Sequence, residues 1–191
     1  MQLQQEKGHF TYEDYYAWDN EPRCELIDGE IYFMAMPTVS HQRISGRLLR
    51  RFGEHLDGKK CEVFPPLDVR LNWERGDDTV VQPDLLVICD PEKIADGKSV
   101  KGAPDLVIEI LSPSTAGYDT TKKLAKYCKA GVREIWFAGP EAGTMLVYKR
   151  NDSGGYIIDF YHRDDKITVG ILPDFTIDMK DIFETEEGEI S

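Results

Sequence analysis

At 191 residues the chain is long enough for one domain with a sizeable core, and 41% hydrophobic and 30% charged residues mark it as globular rather than disordered. No apolar run approaches the roughly 20 residues needed to cross a bilayer, and the polar start MQLQQEKGHF lacks a signal peptide's apolar stretch; a cytoplasmic, non-membrane protein is expected. The formal net charge of −12 argues against an indiscriminate nucleic-acid binder, because phosphate backbones would be repelled at long range.

Residues 1–20 are polar and aromatic, with Tyr12, Tyr15, Tyr16 and Trp18 suited to a short helix or arm packed on the domain. CELIDGEIYFMAM reads as a hairpin, since Asp28-Gly29 is a dipeptide that suits a two-residue type I′ turn. Ser40 can cap a helix running to about Leu56, with Ile44, Leu48 and Phe52 as its apolar stripe. The alternation in PLDVRLNW predicts a strand, and VVQPDLLVIC predicts a second one, apolar on both faces and therefore central. A charged, Gly-containing connection leads to PDLVIEIL, a second central strand. A helix follows over about Asp119 to Ala130 with Gly131 just past its end, then strands in REIWFAG and TMLVYKR. Residues 151–191 read as a short β extension and tail beyond a core of about 21–150.

The fold class expected is thus α/β, a central mixed β-sheet with an α-β-β-β-α-β core flanked by helices, plus an N-terminal hairpin, in a single domain over 1–191. Cys24, Cys61, Cys89 and Cys128 are scattered, with no CxxC and no histidine at zinc-ligand spacing. Four buried thiols are expected, with neither a disulfide nor a structural zinc.

Two carboxylates stand out. Glu109 lies in the middle of an apolar strand, where a charge is costly unless it is paired, protonated or bound to a metal; Asp84 heads the other central strand. A simple return between the strands makes them antiparallel, and the register that opposes Ile88 with Asp105 also opposes Asp84 with Glu109. Directly opposed residues have Cβ atoms about 4.5–5.5 Å apart. Two such carboxylates repel, and a shared divalent cation resolves the repulsion. The alternative is that Asp84 caps a turn after Pro83 while Glu109 meets an arginine.

On the helix DTTKKLAKYCKA, Leu124, Tyr127 and Cys128 form the buried stripe and Lys122, Lys126 and Lys129 the solvated face. Lys123 alone borders the stripe, so it is the lysine that can reach Glu109; a surface ion pair with Asp119 is the alternative. His41, in the first turn of its helix, points toward the sheet either as a buried hydrogen-bonded side chain or as a ligand or proton shuttle. Glu25 in the hairpin is explained by a cross-strand pair, with an accessory site role as the second reading.

PD, a hairpin return, PDLVIEILSPST and then D-x-x-x-K-x-x-x-Y-x-x-x-G-V-x-E-x-W resemble the Uma-type restriction endonucleases of the PD-(D/E)XK nuclease superfamily. ELIDGEI, SHQRI and ILPDFTIDMKDIF extend the resemblance over residues 11–185. The resemblance implies a restriction-endonuclease-like fold, Mg²⁺ (or Mn²⁺) on Asp84 and Glu109, and a lysine that helps activate water for attack on a DNA phosphodiester. The superfamily's lysine position is Leu111 here, which makes Lys123 the migrated lysine. Leu111 and the negative charge favour an alternative, a catalytically inactive nuclease-like scaffold that binds a protein or nucleic-acid partner. Two copies could pair as a homodimer through TMLVY and the aromatic N-terminal arm.

Overall fold

In the computed structural model, which describes residues 5–6, 8–18, 23–112 and 116–183, strand β1 (Gln5–Glu6) and helix α1 (Tyr12–Ala17) precede a hairpin of β2 (Cys24–Ile27) and β3 (Glu30–Phe33). Asp28 and Gly29 both take positive φ, 53° and 78°, the left-handed pair that a type I′ turn requires. Helix α2 (Val39–Leu56) starts from Thr38, whose hydroxyl accepts the His41 backbone N–H at 3.2 Å. Thr38, not Ser40, is therefore the cap. Ile44, Leu48, Phe52 and Leu56, four apart, form the buried stripe of α2.

The middle of the chain supplies β4 (Glu62–Phe64), β5 (Val69–Arg70), β6 (Val80–Val81) and β7 (Leu85–Ile88). A 3-10 turn over Pro91–Ile94, β8 (Val100–Lys101) and β9 (Leu106–Ile110) follow. Here the pattern misled twice. PLDVRLNW pairs only at Val69–Arg70, and VVQPDLLVIC splits in two at Pro83, which has no N–H to give a ladder. Its halves enter different sheets.

Helix α3 (Ala116–Tyr118), a π turn over Asp119–Lys123 and α4 (Leu124–Ala130) form one continuous helical segment. Gly131, at φ 85°, terminates it in the left-handed region. Strands β10 (Glu134–Gly139), β11 (Thr144–Arg150) and β12 (Tyr156–His162) come next, then β13 (Lys166–Thr168), β14 (Thr176–Asp178) and α5 (Lys180–Phe183).

One six-stranded sheet runs β12-β11-β10-β9-β7-β4 and is antiparallel throughout except for the parallel pair β9–β10. A second, β1-β3-β2-β6-β5-β8, carries the hairpin. The expected order of helix, three strands, helix, strand is present in the first sheet as α2, β4, β7, β9, α4, β10. Its first strand is β4, which the sequence pattern did not suggest, rather than PLDVRLNW.

Alternation along β9 divides the core. Leu106, Ile108 and Ile110 pack with the α2 stripe and with Ile167, Phe175, Ile177 and Ile182 of the C-terminal segment. Val107, with Ile135 and Phe137 of β10, faces Tyr127 of α4. The segment after β12 is thus built into the larger core cluster.

The cysteine expectation is overturned in part. The β4–β7 register pairs Glu62 with Ile88, so the next positions outward, Cys61 and Cys89, meet and form a disulfide. A pair 28 residues apart becomes adjacent only once β4 is recognised as a strand. Among the described residues no helix is long and apolar enough to cross a membrane.

Candidate active site

Strands β7 and β9 pair antiparallel with Leu85 opposite Ile108 and Val87 opposite Leu106. One step further, the same register sets Asp84 against Glu109, at the point where Pro83 releases the chain from the second sheet. The Asp84 carboxylate is held there: Oδ2 accepts the Ile110 backbone N–H at 2.7 Å and lies 3.1 Å from His41 Nε2. His41, in the first turn of α2, does point toward the sheet.

Glu109 sits on the sheet face that α4 covers, with 3% of its surface exposed. Its Oε1 lies 2.6 Å from Lys123 Nζ and accepts the Tyr127 hydroxyl. Lys123 Nζ also lies 2.8 Å from Glu25 Oε1 and 3.9 Å from Asp119 Oδ1. The Gln82 backbone N–H donates to the same Glu25 oxygen at 2.7 Å. Glu25 therefore reaches from the hairpin to the helix as well as to the backbone just past β6 of its own sheet. The Asp119–Lys123 contact is part of a buried cluster, not a surface pair.

Local structure explains how a lysine comes to be buried. The N–H of Leu124 bonds to the carbonyl of Asp119, five residues back, and this widened π turn carries Asp119 and Lys123 inward together. Lys122 and Lys129 are exposed as expected, whereas Lys126 is only partly exposed. Lys122 Nζ donates to the Tyr32 hydroxyl at 2.6 Å, and Lys126 pairs with Asp28 of the hairpin turn.

The electrostatics are lopsided. Burial alone would strip Lys123 of its proton, but Glu109, Glu25, Tyr127 and Asp119 outweigh it and hold the ammonium well above the ordinary lysine value. Burial pushes Glu109 well up; Lys123 opposes the shift, while Asp119, Asp84 and Glu25 add to it. Burial and Glu109 likewise raise Tyr127, which stays a hydroxyl donor. Lys123 faces three carboxylates, Glu109, Glu25 and Asp119, and Asp84 adds a fourth beside Glu109; that excess of negative charge suits a second cation.

Asp84, Glu109, Lys123, Glu25 and His41 all line one cavity of about 430 Å³. Every polar contact of Asp84 falls on Oδ2 and every one of Glu109 on Oε1. Each carboxylate keeps one oxygen without a hydrogen-bond partner among the described residues. Two carboxylate donors fit Mg²⁺, which keeps several waters and takes its remaining ligands from substrate phosphate. Among the described residues no three His, Cys, Asp or Glu side chains gather as a ligand cluster, and a tetrahedral zinc site needs more protein donors than the acidic pair supplies.

Two contributors escaped the sequence reading. Tyr127 was read only as core, though its place one turn after Lys123 could have marked it. Gln82, which fixes Glu25 through a backbone N–H, leaves no sequence signal.

With α2 leading, β4, β7 and β9 antiparallel and α4 crossing to parallel β10, the chain has a restriction-endonuclease-like fold. A crystal structure from Anabaena variabilis, described as "a putative nuclease belonging to DUF820", superposes with a TM-score of 0.74 at 22% identity, over 91% of this chain and 97% of the other. The chain belongs to the Uma2 family, described as "Putative restriction endonuclease", which matches residues 12–180. The uncharacterized protein slr1290 of Synechocystis sp. is 32% identical over 87% of this chain and 88% of its own length. The uncharacterized protein sll1609 of the same organism is 31% identical over 55% and 59%.

Proposed function

We propose that this protein is a metal-dependent endonuclease that hydrolyses DNA phosphodiester bonds, with Asp84 and Glu109 as ligands of Mg²⁺ (or Mn²⁺) and Lys123 as the catalytic cation. The observation that carries the reading is the contact of Lys123 Nζ with Glu109 Oε1, 2.6 Å, at a carboxylate pair that opens on a cavity. Leu111, in the superfamily's lysine position, is committed to the sheet through its backbone N–H to Ala138 O at 2.8 Å, while the ammonium arrives from the helix instead.

When bound, the divalent ion would lower the pKa of a coordinated water and neutralise charge on the scissile phosphate. Lys123, kept protonated by its carboxylates, is not a general base. It orients Glu109, donates to oxygen and adds positive charge beside the phosphate. Tyr127 fixes the Glu109 rotamer, and His41 with the Ile110 N–H fixes Asp84, so the free oxygens Oδ1 and Oε2 remain for the ion. Glu25 holds Lys123 against Glu109. Addition of water across one P–O ester bond leaves a phosphate on one product and a hydroxyl on the other.

The test is incubation of plasmid, linear duplex and single-stranded DNA with Mg²⁺, Mn²⁺ or a chelator. Cleavage with metal, its loss on chelation and its loss in Asp84→Ala and Glu109→Ala are expected. Folded protein that cuts no DNA with either ion would leave the inactive scaffold as the better account.

A further inference from the structure

The cavity that ends on the acidic pair has an unexpected wall. Away from Asp84 and Glu109 it is lined by Tyr32, Met34, Met36, Pro65, Pro66 and Tyr118. Its lysine and arginine residues are Lys123, spent on carboxylates, and Arg23, whose Nη2 donates to Gln82 Oε1 at 2.7 Å. Duplex DNA carries one charge per roughly 1.7 Å of axis, and groups that grip it are normally lysines and arginines in number. This wall does not offer them, and the chain as a whole is formally −12.

What the wall offers suits a base. Met36 is 89% exposed at the cavity lining, an apolar side chain with nothing over it. The Tyr118 ring packs 5.0 Å from that of Tyr32, while its hydroxyl is buried with no hydrogen-bond partner among the described residues. A buried hydroxyl without a partner costs stability, and a ligand that supplied the partner would recover it. About 430 Å³ lies within the range of small-molecule pockets and is roomy enough for one nucleotide.

We infer that the cavity takes one unpaired nucleotide of DNA, its base between Met36 and the tyrosine wall and hydrogen-bonded to Tyr118, its phosphate at the Asp84–Glu109 end. This rests on the proposed metal role of that pair. The substrate class is therefore single-stranded DNA, or a duplex with an unpaired nucleotide, in preference to intact duplex. Single strands also carry less charge per unit length, so the acidic protein repels them less.

The test is fluorescence anisotropy of labelled single-stranded DNA and of the same sequence as a blunt duplex, with Ca²⁺ replacing Mg²⁺ so that binding is read without relying on turnover. The single strand is expected to bind roughly tenfold more tightly. Met36→Gln and Tyr118→Phe should each weaken single-strand binding about three- to tenfold. Met36 is exposed, so its substitution does not threaten the fold. Tyr118→Phe should raise the Tm of the free protein while lowering affinity, an opposition that misfolding cannot produce. Equal or tighter binding of duplex, or unchanged affinity in both variants, overturns the inference. Cleavage with Mg²⁺ alongside equal duplex binding would leave the nuclease reading standing without the pocket. Single-strand binding that both variants weaken, with no cleavage, would do the reverse.

Discussion

Replacing Lys123 with methionine keeps the length of the side chain and removes the one cation of the buried cluster. Lys123 and Glu25 are each 2% exposed and Glu109 3%, so water reaches them only from the cavity side and replaces little of the lost ammonium. Removing one partner of a buried ion pair costs about 3–5 kcal/mol. A typical domain has a total stability of roughly 5–15 kcal/mol, so the variant would lose a large share of it. The loss should depend on pH. Burial already raises Glu109, and losing the opposing ammonium raises it further. A carboxyl raised in the folded state costs nothing below its unfolded value of roughly 4.3, and the cost grows as pH rises through the folded value. Urea unfolding followed by the fluorescence of the 3 tryptophans, at about pH 5 and about pH 8, measures both effects. A variant within about 1 kcal/mol of the parent at the higher pH, with no pH dependence, would refute the cluster's electrostatics.

Tyr127→Phe removes one of the two partners of Glu109 Oε1, leaving Lys123, and should destabilise by about 1–3 kcal/mol in the same unfolding assay. His41→Ala removes the outer partner of Asp84 and should weaken Mn²⁺ binding about 10–100-fold by calorimetry, with a smaller effect on urea unfolding. Reduction of Cys61–Cys89, which closes a loop of 28 residues, should lower stability by about 3.6 kcal/mol, read as a drop in Tm with dithiothreitol.

The Asp84–Glu109 register was legible because both strands carry unambiguous side-chain alternation and the link between them permits a direct return. Lys123 was legible from helical periodicity alone, since it is the lysine that borders the stripe. Glu25 was harder. Its partner lies 98 residues away, and no local pattern says that the hairpin leans on the helix. The disulfide was hidden for a related reason: EVF is too short and too polar at its start to read as a strand, and without β4 there is no register to bring Cys61 to Cys89. Pro83 could have been read as a break, because an uninterrupted central strand does not tolerate it. The continuous apolar run around it masked the change of sheet.

The most direct test of the proposed metal centre is calorimetric titration of Mn²⁺ into the protein and into Asp84→Asn. The prediction is one ion bound per chain by the parent and none by the variant at the same concentrations, with both proteins equally folded by circular dichroism. No binding heat from the parent, or an isotherm that Asp84→Asn leaves unchanged, would contradict the assignment of the acidic pair as the site of metal-assisted hydrolysis.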